Sequence, residues 1–192
     1  MKFSETIMYK KGIFGEHLFD EYIKSKGTIV SYKPMQEGKH PFDRLMASKD
    51  KKRLFVVDVK TVSARKKYPD TGISINHYKE YLYIQKKYGV PVWLVFVDSL
   101  NSSVYGNTLK ELCKEVTINH NGKTLHYPIV DSGKSSFSAV GGAIIYFPLI
   151  HMKEIGEIPK ESAEKLEGLS NYGYKKDMEH KKGFNDWITK DC

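Results

Sequence analysis

The chain has 192 residues, 40% of them hydrophobic and 28% charged, which suits a single domain with a substantial core. No apolar run approaches the roughly 20 residues of a membrane-spanning helix, and the start, MKFSETIMYKKGIFGEH, lacks the apolar core of a secretory signal. The two cysteines, Cys113 and Cys192, are far apart and form no metal-binding spacing, so a cytoplasmic protein without disulfides is expected.

The net charge of +8 suggests an anionic partner, with nucleic acid foremost. Much of the excess is local in sequence. Between Lys33 and Lys67 stand eleven basic residues against the four acids Glu37, Asp43, Asp50 and Asp58.

A first helix is expected over Lys11 to Lys26, where Phe14, Leu18, Phe19, Tyr22 and Ile23 recur at helical spacing and Gly27 can end it. TIVSY, Thr28 to Tyr32, reads as a strand. Phe42 to Ala47 and Arg53 to Val62 read as two more, joined by the turn SKDKK. SARKKYPDTG has loop composition. Asn76 to Tyr88 is expected as a second helix with Tyr78, Tyr81, Leu82, Gln85 and Tyr88 near one face, and Tyr81 is assigned to the core. Val90 to Asp98 is apolar enough for a central strand. Further on, Asn121-Gly122 signals a type I′ hairpin, GGAIIYFPLIHM holds a strand ending near Pro148, and a short helix can start at Pro159. The tail from Asn171 shows no hydrophobic period. Helix, strand, hairpin, helix and strand in that order predict one α/β domain with a mixed sheet.

Three charges interrupt the apolar pattern. Along LFVVDVK, Asp58 and Lys60 share a face with Leu54 and Val56, while Phe55, Val57 and Val59 point the other way. A strand apolar on both faces has become charged at its end, and a buried charge is costly unless paired or bound to metal. Asp43 can approach Asp58 across the hairpin. Two close carboxylates repel, and a hard divalent cation with oxygen ligands and waters would relieve that repulsion. Glu16 falls on the inward stripe of the first helix with Phe19 and Ile23, with Asp20 one turn on. The same residues are also compatible with an edge-strand Asp58–Lys60 ion pair and a turn aspartate at position 43.

Glu16 in GIFGEHLFDEYI, Asp43 in HPFD, and Asp58 and Lys60 in VVDVK together resemble the PD-(D/E)XK nuclease superfamily, over roughly residues 10–100. That resemblance implies a restriction-endonuclease-like mixed β-sheet flanked by helices, with the β-hairpin and C-terminal helical elements of residues 101–192 as additions. It implies a Mg²⁺-dependent DNA endonuclease, with Mn²⁺ able to substitute. Asp43, Asp58 and the Val59 carbonyl would bind metal, Glu16 would support the site, and Lys60 would act on the attacking water. GISINHYKEYLYIQKKYGVPVWLVFVD also looks like Holliday junction resolvases and related phage nucleases, and Tyr78, Lys79 or Gln85 could reach the site or the DNA from it. A sequence-specific restriction endonuclease and a non-cleaving DNA-binding module remain as other readings. Arg65, Lys66 and Lys67 are candidate phosphate contacts. Cleaving both strands would suit a homodimer. His120 and His126 lack a third zinc ligand, and GKSS at Gly133 to Ser136 lacks the upstream glycine of a phosphate loop.

Overall fold

The computed structural model describes residues 6–33, 41–127, 136–138 and 142–169. Most of the GKSS turn, the tail from Asn171, and Lys39 and Cys192 lie outside them. In chain order the elements are α1 (Ile7–Lys26), β1 (Ile29–Tyr32), β2 (Arg44–Ser48), β3 (Leu54–Lys60), β4 (Asp70–Ser74), α2 (Ile75–Tyr88), β5 (Val92–Asp98), β6 (Ser103–Thr108) and α3 (Leu109–Leu112). There follow β7 (Val116–His120), β8 (Lys123–Tyr127), β9 (Ser136–Ser138), β10 (Gly142–Pro148), a 3₁₀ turn (Leu149–His151), β11 (Lys153–Glu157) and α4 (160–169).

The main sheet has strand order β1-β2-β3-β5-β6-β11. Only β3 and β5 run parallel, joined by a crossover through β4 and α2, so the sheet is mixed. Its central strands alternate between two cores. Val57, Val59, Val95, Val97 and Val104 face Phe19 and Ile23 of α1 and Leu166 of α4. Val56, Leu94, Phe96 and Tyr105 face Tyr78, Tyr81 and Ile84 of α2, together with Ile73 of β4 and Ile145 and Phe147 of β10. Strands covered on both sides explain why Val92–Asp98 reads as an unbroken apolar run.

Helix ends follow the local chemistry. Thr6 caps α1 by accepting from the Tyr9 N–H, and Gly27 and Gly89 take left-handed conformations (φ 62° and 66°) that end α1 and α2. In the β7–β8 turn, Asn121 and Gly122 both have positive φ (50° and 74°), as a type I′ hairpin requires.

Several expectations need correction. Residues 70–72 are not loop; they open β4, where Gly72 lets the Ile145 carbonyl come within 2.6 Å of where a Cβ would stand. Tyr88 is 60% exposed and Ile84 takes the inward position, because the buried stripe of α2 runs through 78, 81 and 84 and its last turn projects past the core. Leu54 is 47% exposed at the start of β3. Strands β6 and β11 carry no pattern that marks them in the sequence. In β6, SVYGNT has only two apolar residues, one for each core, and Gly106 is demanded by the Leu94 carbonyl, 2.2 Å from a Cβ there.

Helix α1 rests directly on the end of β3. A Cβ on Gly15 would stand 1.9 Å from Thr61 Oγ1 and 3.0 Å from Thr61 Cβ. Gly15→Ala should therefore destabilise by about 1–3 kcal/mol through overpacking, despite alanine's better helix propensity. Thr61→Ala in the same chain should recover much of the loss. Urea unfolding of both single variants and the double variant checks this, since independent sites would give additive changes.

Candidate active site

Strands β2 and β3 pair through Arg44 and Val57, and continuing that register sets Asp43 across from Asp58. The last ladder bond runs from the Asp43 N–H to the Val57 carbonyl (3.1 Å). There β2 ends, and the Val59 N–H would be left without a strand partner. Instead Asp43 Oδ2 accepts from it at 2.7 Å. The aspartate side chain thus replaces a missing backbone acceptor where the strands part, and its other oxygen is left for a different partner.

Asp58 is 5% exposed. Lys60 Nζ lies 2.6 Å from its Oδ2, an ion pair whose alignment makes no hydrogen bond to that oxygen. Tyr81, buried on α2, donates its hydroxyl to Asp58, and Lys60 Nζ lies 5.8 Å from the centre of the Tyr81 ring. Burial, then the charge of Asp58 and this hydrogen bond, push the Tyr81 phenol far above its usual range. Tyr81 is thus a core residue, as expected, and a site residue as well. Its polar tip carries no sequence signal, because the helical period that places a tyrosine inward does not say what its hydroxyl meets.

The carboxyl of Asp43 is pushed up to about 7. Burial is the main cause, followed by the negative charges of Asp58 and Glu16; the Val59 N–H and Lys60 work in the opposite direction.

Glu16 comes from the other face of the sheet. Its carboxylate binds Arg44 Nη1 at 3.1 Å and lies 3.8 Å from Lys33 Nζ. Arg44, only 2% exposed, grips both Asp20 oxygens (2.8 and 2.7 Å) and donates to the Asp43 carbonyl (2.7 Å). Four of the guanidinium's five N–H groups are thereby used. Burial opposes its charge, but Asp20 and Glu16 outweigh burial and raise its pKa. In the sequence Arg44 is one of the eleven clustered basic residues, with no role of its own. The missed signal was Glu16 and Asp20, two acids four apart on one inward stripe, which together require a buried cation.

The basic cluster disperses on folding. Lys49, Lys51, Lys52 and Arg53 sit at the turn of the β2–β3 hairpin, at the other end from the aspartates, and the rise from Leu54 to Asp58 alone spans roughly 13 Å. Arg65 is committed to Asp70, with bonds of 2.5 and 2.7 Å, while Lys66 and Lys67 are exposed. The edge-strand alternative for Asp58 and Lys60 does not match the topology, since β3 lies between β2 and β5.

Among the described residues three aspartates are buried: Asp58, Asp70 and Asp98. Asp98 accepts from the N–H groups of Ala64, Leu100 and Asn101, from the Asn101 amide and from the Tyr105 hydroxyl. Asp70 holds Arg65 and the Tyr127 hydroxyl. Of the three, only Asp58 keeps an oxygen without a hydrogen bond. Among the described residues no group of three or more His, Cys, Asp or Glu side chains is gathered closely enough to hold a metal. Mg²⁺ asks for less, one or two carboxylates with water or phosphate oxygens completing the shell. The oxygens of Asp43 and Asp58, with Asp58 Oδ2 held by the Lys60 ammonium alone, fit that need.

No protein-family model matches the chain, and no curated protein does. Among solved structures it is similar to Hjc, a Holliday junction resolvase from the archaeal hyperthermophile Archaeoglobus fulgidus. The TM-score is 0.39 at 11% identity, over 52% of this chain and 81% of that one, which is too distant to assign a fold family.

The raised pKa of Asp43 makes a signed prediction. An unfolded aspartate titrates near 3.9, so between about pH 4 and 7 the folded state holds a proton that the unfolded state has lost. Stability from this group therefore falls as pH rises through that window. Asp43→Asn, whose amide oxygen can still accept from Val59, removes the loss. Without divalent cations, the variant's stability relative to the parent should rise by roughly 1–2 kcal/mol between pH 4.5 and 8, a figure reduced for residual solvent access. Urea unfolding at the two pH values measures it, and an equal difference at both would place Asp43 in an ordinary solvated setting.

Proposed function

We propose that the chain is a Mg²⁺-dependent endonuclease that hydrolyses phosphodiester bonds in DNA. The observation carrying this is the buried Asp58 beside Asp43 and Lys60 where β2 and β3 part. The chain ties Asp70 and Asp98 with several hydrogen bonds. Asp58 Oδ2 has the Lys60 ammonium alone, a side chain that can turn to another anion.

In this reading Asp43, Asp58 and the Val59 carbonyl hold the cation. A bound Mg²⁺ would polarise the phosphate and offset the charge that develops on it. The chain's own groups do the rest. The Tyr81 hydroxyl fixes one oxygen of Asp58. The Lys60 ammonium adds positive charge beside the reacting phosphate. Glu16, tied to Arg44, keeps α1 against the site and contributes negative field to Asp43. The overall charge of +8 favours a polyanionic substrate. A homodimer would supply a second site for the opposite strand.

Supercoiled plasmid, linear duplex, single-stranded DNA and a four-way junction, each incubated with Mg²⁺ or with EDTA, test the proposal. At least one should be cut in Mg²⁺ alone, and the pattern separates a duplex nuclease from a junction-specific one. Asp58→Ala should lower the rate at least ~100-fold, the scale of losing a main electrostatic catalyst, while the folded far-ultraviolet circular dichroism spectrum is kept at the assay temperature. DNA that shifts in a gel but survives intact in Mg²⁺ would instead identify a non-cleaving binding module.

A further inference from the structure

The loop after β3 and the β7–β8 hairpin enclose a cleft of about 280 Å³, lined by Lys66, Lys67 and Tyr68 on one side and His120, Asn121, Lys123 and Leu125 on the other. No carboxylate lines it. Among the described residues no acid lies within ion-pair distance of Lys66, Lys67 or Lys123, whereas Lys24, Lys33, Lys60, Lys114 and Lys160 each find one. Three unpaired ammonium groups around one concavity repel one another, and an anion between them would relieve that repulsion.

The two walls are fixed to each other by a buried latch. Asp70, 0% exposed, receives the Arg65 guanidinium through two bonds and the Tyr127 hydroxyl of β8 at 2.7 Å. Its carbonyl accepts the Arg65 N–H at 2.9 Å. The guanidinium also stacks 3.7 Å from the Tyr146 ring centre and 4.2 Å from that of Tyr68. One carboxylate thus joins the loop to the hairpin, and the cleft needs no ordering when a ligand enters, which favours binding. Lys66 follows Lys60 by six residues, a reach of at most roughly 20 Å of extended chain, so one DNA strand can meet both the cleft and the end of β3.

We infer that this cleft binds a backbone phosphate of the DNA strand that crosses the active site, with Lys66 and Lys67 on one wall and Lys123 on the other, and that Arg65 holds the walls together without contacting DNA. The inference rests on the nuclease reading and adds the hairpin to it. It removes Arg65 from the expected phosphate contacts and keeps its two neighbours.

The test is equilibrium binding of the full chain to fluorescein-labelled duplex DNA in EDTA, across a salt series, with an RNA duplex in parallel. Lys123→Glu and the double variant Lys66→Ala/Lys67→Ala should each raise Kd about 3- to 10-fold or more. They should reduce the log–log salt slope by about 1 and 2, at ~0.9 per phosphate contact. Lys160→Ala, exposed at the start of α4, should change neither quantity, and all of these variants should melt with the parent. Arg65→Ala should instead lower the melting temperature, because it strips the buried Asp70 of its cation.

The inference is overturned if Lys123→Glu binds with the parent's Kd and slope, if Lys160→Ala loses as much as the cleft variants, or if RNA is preferred. Cleavage in Mg²⁺ is scored separately. A parent that cuts DNA while the cleft variants bind normally keeps the nuclease reading and loses the cleft; a parent that binds through the cleft yet cuts nothing does the reverse.

Discussion

The buried guanidinium of Arg44 is the constraint on which the site depends. It sits at the first residue of β2, takes Glu16 and Asp20 from α1, and holds the carbonyl of Asp43. Breaking such a pair from one side leaves an uncompensated charge, at a cost of about 3–5 kcal/mol, although replacing the whole set with apolar residues can be neutral. Its value is therefore positional. It fixes where α1 lies over the sheet, which in turn seats Gly15 on Thr61 and sets Glu16 close enough to influence Asp43.

The parting of β2 and β3 supplies the second half of the design. A paired ladder satisfies every backbone group and leaves no room for a ligand. Where it stops, Asp43 completes the Val59 N–H with one oxygen and keeps the other. Asp58 is pinned by Tyr81 and Lys60 but retains a buried oxygen without a hydrogen bond. The Lys60 ammonium, 2.6 Å away, is the sole partner of that oxygen. The contrast with Asp98, whose five donors leave nothing open, shows that the same fold can satisfy a buried aspartate fully.

Much of this was legible in the sequence. Asp58 and Lys60 broke a strand pattern that was otherwise apolar on both faces, and the structure places both beside Asp43 and Tyr81. The hairpin brought Asp43 to it because turn and strands were clear in composition. What stayed hidden depended on contacts rather than on period. Strand β6 is short, polar and glycine-containing, and exists because β5 and β11 flank it. Nearness in sequence also misled: four of the eleven clustered cations lie at the far end of a hairpin, Arg44 is buried, and Arg65 belongs to Asp70. Lys123, more than fifty residues from Lys67, shares its cleft.

Direct titration of Mn²⁺ into the metal-free chain, followed by electron paramagnetic resonance of the free ion, tests the central claim without relying on any chosen DNA. The parent should bind the ion, and Asp43→Asn and Asp58→Asn should each weaken that binding at least tenfold while keeping the fold. Absence of binding by the parent, or equal binding by all three proteins, would contradict a metal site at Asp43 and Asp58.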